Sequence, residues 1–161
     1  MKPLLLPALL AITCALPGCN REPAPKQATA PGHTDQVTAE KLRVGDAELE
    51  VRLINSQRLS EAMGQRYGVA RDADNWLLLI SPRSATGEAI TLDGLVVEAR
   101  AGSLIETPAG IALRVIEAGD YRDLIGEIKA KPPTTLRIEI DANRGGQRGQ
   151  LRFSRDLTKA D

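Results

Sequence analysis

The sequence points to an all-β domain, an immunoglobulin-like antiparallel β-sandwich of about seven or eight strands with one short helix. Three observations carry that expectation. Apolar and polar residues alternate with a period of two, most cleanly at Leu136, Ile138 and Ile140 between Arg137, Glu139 and Asp141, the pattern of a strand buried on one face. The apolar segments are short and are separated by Gly, Pro, Asn and Asp, as in a sandwich rather than a parallel α/β sheet. The patterned stretch covers about 110 residues, one such domain, and a chain of 161 residues leaves no room for a second of similar size. An antiparallel barrel is the structural alternative, and no internal repeat is visible.

The elements follow in order from Val44. Leu49, Val51 and Leu53 alternate with Glu48, Glu50 and Arg52, which predicts a half-buried strand. Ser60 is a good N-cap and Gly68 a good C′ residue, so Glu61 to Tyr67 reads as a short helix. Leu59, Met63 and Tyr67 lie four apart and would share the face that packs on the sheet. Trp76 to Ile80 is a continuous apolar run, the mark of a central strand, which Ser81-Pro82 is expected to end. After a turn at Ala85 to Glu88, the stretches Ile90 to Leu92 and Leu95 to Arg100 flank Asp93-Gly94, a strong hairpin dipeptide. Ile111, Leu113 and Val115 predict one strand, and Tyr121 to Ile128 another after the turn at Glu117 to Asp120. Lys131-Pro132-Pro133 breaks the chain before the strand around Ile138. A Gly-rich loop, Asn143 to Gly149, then leads to a last strand, Gln150 to Arg155.

The N-terminal segment reads as an address. Met1-Lys2 gives a positive start, and Leu4 to Leu16 is apolar apart from Thr13. That run is shorter than the roughly 20 residues that span a bilayer and has the length of a secretory signal core. Leu16-Pro17-Gly18-Cys19 is similar to the bacterial lipobox. Gly18 is small enough for a peptidase to approach the backbone, and the Cys19 thiol would carry the diacylglycerol. The expected organisation is a signal peptide over 1–18, a lipid-anchored, disordered, Pro-rich tether over 19–43 and the sandwich over 44–161. Asn20 to about Gln36 is rich in Pro, Ala, Thr and Gln, which suits a flexible linker. His33, the sole histidine, falls there and reads as exposed spacer. Cys14 would leave with the signal and Cys19 would be acylated, so no disulfide is expected. Asn20, rather than Asp, follows the lipid-bearing Cys19. The expected place is therefore the cell envelope, facing the periplasm, at the inner leaflet of the outer membrane rather than at the inner membrane.

Composition narrows the chemistry. Lys plus Arg and Asp plus Glu are 21 each, against the basic surplus of a nucleic-acid binder. Aromatics are 2%, too few for base stacking. With no His or Cys after Cys19 except His33, the domain has no Ser-His-Asp or Cys-His arrangement and no His-based metal site. No Ser-x-x-Lys occurs. Ser103-x-x-Glu106 imitates a capping box, but Thr107-Pro108 follows and a turn is expected. Glu139 and Asp141 fall on one strand face, where a solvated outer surface is the plain reading. No catalytic residue, metal or cofactor is expected.

A set of short motifs carries a resemblance. Gly45-Asp46 precedes the first strand; Asn55-Ser56, Leu59 and Tyr67-Gly68-Val69-Ala70-Arg71 follow; then come Leu77 to Ile80, Glu117 to Tyr121 and Leu151-Arg152-Phe153-Ser154-Arg155. In this order and spacing the domain resembles the uncharacterised bacterial family called domain of unknown function 4426. The resemblance implies a small exported or lipid-anchored protein with no assigned activity. It supplies no catalytic residues.

Two constellations remain as a binding surface. Tyr67 and Arg71 could frame a polar pocket with Trp76 as its wall, all three being common interface anchors; the plainer account is a Gly68 cap, a buried Tyr67 and an ion pair from Arg71 to Asp72 or Asp74. Arg137, Arg144, Arg148, Arg152 and Arg155 crowd the last loop and strand and could meet anionic lipid head groups or envelope carboxylates; the plainer account is edge-strand charge. Within these sets Tyr67, Arg71, Trp76, Arg144, Arg148 and Arg152 are the candidate binding residues. The function expected is non-enzymatic, a binding or adaptor module of the cell envelope. Its partners would be the membrane through acylated Cys19 and an envelope protein or anionic lipid, not nucleic acid. A small envelope hydrolase and a strand-donating assembly factor are the alternatives.

Overall fold

The structure, a computed structural model, describes residues 38–158. The signal, Gly18, Cys19, the linker to Gln36 and His33 lie outside the described residues. Nine strands form two antiparallel sheets, a β-sandwich as expected. β1 (Glu40–Val44), β2 (Ala47–Asn55), β3 (Asn75–Ser84), β7 (Tyr121–Lys129) and β6 (Arg114–Ala118) make the first, in the order β1-β2-β3-β7-β6. β5 (Ala109–Ile111), β4 (Leu95–Ser103), β8 (Thr134–Arg144) and β9 (Gln147–Leu157) make the second, in the order β5-β4-β8-β9. A 3-10 turn at Ser56–Arg58 and the helix α1 (Glu61–Tyr67) lie between β2 and β3.

The main core fills the space between the sheets with Leu49, Val51, Leu78, Ile80, Ile138 and Ile140, all fully buried. A second core lies on the other side of β3, where Leu59, Tyr67 and Val69 cover Leu77, Leu79 and Ile125. α1 forms as expected. Ser60 Oγ accepts from the Met63 N–H at 3.2 Å, and Gly68 takes the left-handed φ of 60° that a side chain would resist. Met63 leaves the expected apolar stripe and stands 40% exposed, because Leu59, Tyr67 and Val69 already cover the sheet beneath.

Five expectations about strands are corrected. Glu40 to Arg43, placed in the tether, form with Val44 the strand β1, paired with β2 from Glu40↔Val51 to Val44↔Ala47. Ser81-Pro82 does not end β3, since β7 stops at Ile80↔Leu124 and Pro82 pairs with β2 alone; there β3 is locally an edge, which tolerates proline. Ile90 to Leu92 forms no strand. Ile90 packs against the main core without pairing, and Asp93-Gly94 turns the chain into β4. Ile111, Leu113 and Val115 do not share a strand, because the chain crosses from β5 in one sheet to β6 in the other at Ala112-Leu113. Gly126 makes room for that crossing: a Cβ there would lie 2.4 Å from Ile111 Cγ2 and 3.0 Å from Leu113 Cδ2. Last, the loop over Asn143 to Gly149 shrinks to Gly145-Gly146, with φ of 56° and 79°. Two positive φ values suit a two-residue hairpin turn, so β8 runs through Arg144 and β9 begins at Gln147.

Candidate binding surface

The sheet separates the side chains expected to frame one pocket. Tyr67 is buried with Leu77 and Leu79 on the helix side of β3. Trp76 packs on the inter-sheet side, where its Nε1 donates to the Ala130 carbonyl at 3.1 Å. Arg71 is exposed and donates to the Gln57 carbonyl at 3.0 Å. The Tyr67–Arg71–Trp76 pocket is therefore not formed. The ion pair expected at Arg71 is not formed either; Asp72 pairs with Lys129 at 3.3 Å.

Next to Tyr67 lies a buried polar knot that the pattern of residues did not announce. Asn55 Nδ2 donates to the Ala73 carbonyl at 2.8 Å, and its Oδ1 accepts from the Gln57 N–H at 2.9 Å. Ser56 Oγ bonds the Ala70 carbonyl at 2.8 Å and accepts from the Asp72 N–H at 3.0 Å. Asn75 Nδ2 donates to Glu127 at 2.8 Å. These groups fasten the segment after α1 to the sheet. The motif Asn55-Ser56 was the available signal; Asn75 had none.

The five arginines of the last hairpin do not form one patch. The pleat sends Arg144 and Arg155 to the inner side, at opposite ends of the seam between β9 and β1. Arg144 Nε and Nη2 donate to Asp46 at 2.5 and 3.4 Å, and Nη1 donates to the Thr91 and Asp93 carbonyls at 2.9 and 3.3 Å. The Arg144 side chain is only 13% exposed. Its hydrogen bond, with that of Asp46's own peptide, holds the Asp46 carboxyl below the ordinary carboxylate range. Arg155 donates to Glu40 at 2.6 Å and to the Thr38 carbonyl at 3.2 Å, and lies over the Phe153 ring. Between them Gly149 brings the two edges together: a Cβ would lie 3.0 Å from the Arg43 carbonyl oxygen. Both arginines are clamps, and Arg144 is withdrawn as a binding residue.

Arg137, Arg148 and Arg152 alternate onto the outer face of β8 and β9. The register sets Val96, Asn143 and Arg148 in one row, Glu98, Asp141 and Gln150 in the next, then Arg100, Glu139 and Arg152. This face is mixed in charge. Arg100 bridges Glu98 and Asp141, both at 3.2 Å, and Gln150 Nε2 donates to Asp141 at 2.6 Å. Glu139 lies 3.7 Å from Arg137. The two carboxylates share a face as expected, each held by a cation. Arg148 and Arg152 are exposed, and among the described residues their side chains make no ion pair or hydrogen bond. Val96, Arg100, Asp141, Asn143 and Arg148 help to line an open concavity of about 670 Å³; Val96 is 59% exposed within it. The concavity offers one exposed apolar contact and one free guanidinium, Arg148, among paired charges, with Arg152 a second free guanidinium farther along the face. It suits a carboxylate-bearing peptide or protein surface better than an enclosed small molecule. At the far end of the sheet, Ser103 Oγ donates to Glu106 at 2.7 Å, the turn expected from their spacing. Among the described residues, no group of three or more His, Cys, Asp or Glu side chains is placed to hold a metal ion, and no helix is long and apolar enough to cross a membrane.

Comparison with known proteins supports the architecture. A family model described as domain of unknown function (DUF4426) matches residues 41–159. A crystal structure of a DUF4426 family protein from Pseudomonas aeruginosa PAO1 superposes with a TM-score of 0.61 at 14% identity, covering 76% of this chain and 97% of that one. A copper-bound variant of FetP from uropathogenic Escherichia coli strain F11 gives a TM-score of 0.48 at 9% identity, covering 75% of this chain and 95% of that one. FetP as isolated, recombinantly expressed in the periplasm of E. coli, gives 0.47 at 9% identity over 76% and 95%. No curated protein matches the chain in sequence.

Proposed function

This chain belongs to the DUF4426 family, and on that premise we propose that it is a lipid-anchored, periplasm-facing binding or adaptor module of the cell envelope. Leu16-Pro17-Gly18-Cys19 after an apolar segment supports the anchor. The place we assign is the inner leaflet of the outer membrane, with Cys19 acylated. Two or three acyl chains, at roughly 0.8 kcal/mol per buried CH₂, make attachment effectively permanent. Cys19→Ala should release the protein to the soluble periplasm or stall the precursor. A processed, membrane-bound Cys19→Ala protein would overturn the anchor.

One observation carries the binding role: the open concavity beside Val96, where Arg148 is the unpaired cation. Acids on that face balance its arginines, which favours a protein partner bearing a carboxylate over an anionic lipid sheet. The proposed role is non-enzymatic; the engagement of Glu139 and Asp141, the one carboxylate pair the sequence offered for acid–base work, with Arg137 and Arg100 supports that reading. A photo-crosslinking residue placed at Val96 in living cells tests this, with one at Met63 as control. A discrete adduct at Val96 that disappears in Arg148→Glu is expected. Identical patterns at both positions, or an adduct indifferent to Arg148→Glu, would refute the assignment.

A further inference from the structure

Two neighbouring apolar side chains stand out on the described surface. Ile105 is 97% exposed and Leu104 58%, both in the connection between β4 and β5. The loop is held so that they project. Arg137 donates to the Glu106 carbonyl at 3.2 Å, and Pro108 folds over Gly102, where a Cβ would lie 3.0 Å from Pro108 Cα. Leu104 and Ile105 line a concavity of about 610 Å³ with Lys129 and Lys131. Lys131 is exposed and makes no ion pair with another described residue, while Lys129 reaches Asp72. The loop's own acid, Glu106, is exposed and is engaged by Ser103, accepting from its Oγ at 2.7 Å and its N–H at 3.4 Å.

The chain enters the domain at this same end. Ser103 pairs with Leu136, Leu136 with Arg155, and Arg155 holds Glu40 and the Thr38 carbonyl. Only 21 residues, 40 minus 19, separate Glu40 from Cys19. A chain of that length reaches no farther than about 75 Å even when fully extended. A lipid on Cys19 therefore keeps this end of the domain near the bilayer at an effective concentration on the order of millimolar, where a weak interfacial contact becomes populated.

We propose that the Leu104–Ile105 loop rests on the bilayer surface that anchors the chain, with its two apolar side chains in the headgroup boundary and Lys131 and Lys129 at lipid phosphates. The local concentration rests on the anchor proposed above; the docking surface rests on the loop alone. The test uses the full chain on phosphatidylethanolamine–phosphatidylglycerol vesicles, with an environment-sensitive fluorophore on Ile105→Cys or on Thr86→Cys in the exposed turn after β3. In the mature acylated chain the Cys19 sulfur is held as a thioether, so the introduced thiol takes the label. Ile105 should show blue-shifted emission and iodide quenching about threefold weaker than Thr86, and Lys129→Gln with Lys131→Gln should give back part of that protection. Equal quenching at both sites while the chain stays on the vesicles overturns the proposal. Should the chain not be retained, the anchor reading falls; titrating vesicles must then still shift the Ile105 emission, and no shift overturns docking. Protection of Ile105 without vesicles also overturns it, since protein would then cover the loop.

Discussion

Replacing Arg144 by Met, and separately Arg148 by Met, tests the division of the arginines into clamps and free cations. Arg144 spans three elements by bonding Asp46 in the β1–β2 turn and the carbonyls of Thr91 and Asp93 before β4. Met keeps most of the stem that packs against Gly45 and removes only the donors. A hydrogen bond within a protein contributes about 0.5–1.5 kcal/mol net. Thr91 and Asp93 are exposed, so water can replace the lost donor, and the two carbonyl bonds together amount to about 1–2 kcal/mol. Asp46 is 73% exposed, so its ion pair is screened and its contribution, small beside the carbonyl bonds, is left out of that figure. In a domain of this size about 1 kcal/mol shifts Tm by roughly 3–5 °C, so Arg144→Met should melt about 3–10 °C lower. Arg148→Met removes no contact and should stay within about 2 °C. Circular dichroism melting of the unacylated mature chain reads both. Equal melting of the two variants would refute the clamp.

Gly126→Val should destabilise by about 1–3 kcal/mol through overpacking against Ile111 and Leu113, and Ile111→Ala should recover part of that loss in the double variant; additive melting shifts would contradict the crossing. Stability should also fall in acid. Asp46 and Asp72 have folded-state pKa values lowered from 3.8, the first mainly by the Arg144 hydrogen bond, the second by the Asp74 N–H and then Lys129. Their contribution is full above the unfolded value and is lost as pH drops below 3.8 through the folded values. Arg144→Met should flatten that acid limb in denaturant titrations, and an unchanged limb would contradict the linkage. Lys41, raised from 10.5 by Glu48, contributes below that pH and loses its contribution as pH rises through the higher folded value.

Elements with local signals were legible in the sequence. α1 carries its own caps at Ser60 and Gly68, and β2 alternates over its nine residues and β8 from Thr135 to Asn143. The errors fall where the signal was tertiary. Ile90 is apolar because it rests on the core, not because it pairs. Ile111, Leu113 and Val115 alternate across a crossing that only Gly126, more than ten residues on, makes room for. The basic cluster misled for a simpler reason. Asn143 to Gly149 has the composition of a loop, and in a loop all its arginines would face water. A two-residue turn extends both strands, so strict alternation applies. Arg144 then continues the inward series of Ile140 and Ala142 while Arg148 faces out. At the candidate surface, Arg148 and Arg152 were legible as exposed cations, but Val96 and its row with Asn143 were not, because register across β4, β8 and β9 is not encoded in any one strand.

The two proposed contact surfaces do not compete for the same end of the domain. Val96 lies near the start of β4 and Ser103 at its end, seven steps along the strand. At about 3.3 Å per residue that separates the Val96 concavity from the base of the Leu104–Ile105 loop by about 23 Å. A domain resting on a bilayer by that loop holds Arg148 and Val96 beyond roughly two Debye lengths, about 8 Å each at physiological salt. At that distance the lipid charge is screened, and Arg148 is left to choose its partner by contact rather than by attraction to the membrane. The clamps serve the same division. Arg155 fixes the seam at the Leu104–Ile105 end and Arg144 at the far end, so the face that would meet a partner is held rigid against the face that would meet lipid. Loosening Arg144 should therefore weaken partner crosslinking at Val96 while leaving the fluorescence of a label at Ile105 unchanged.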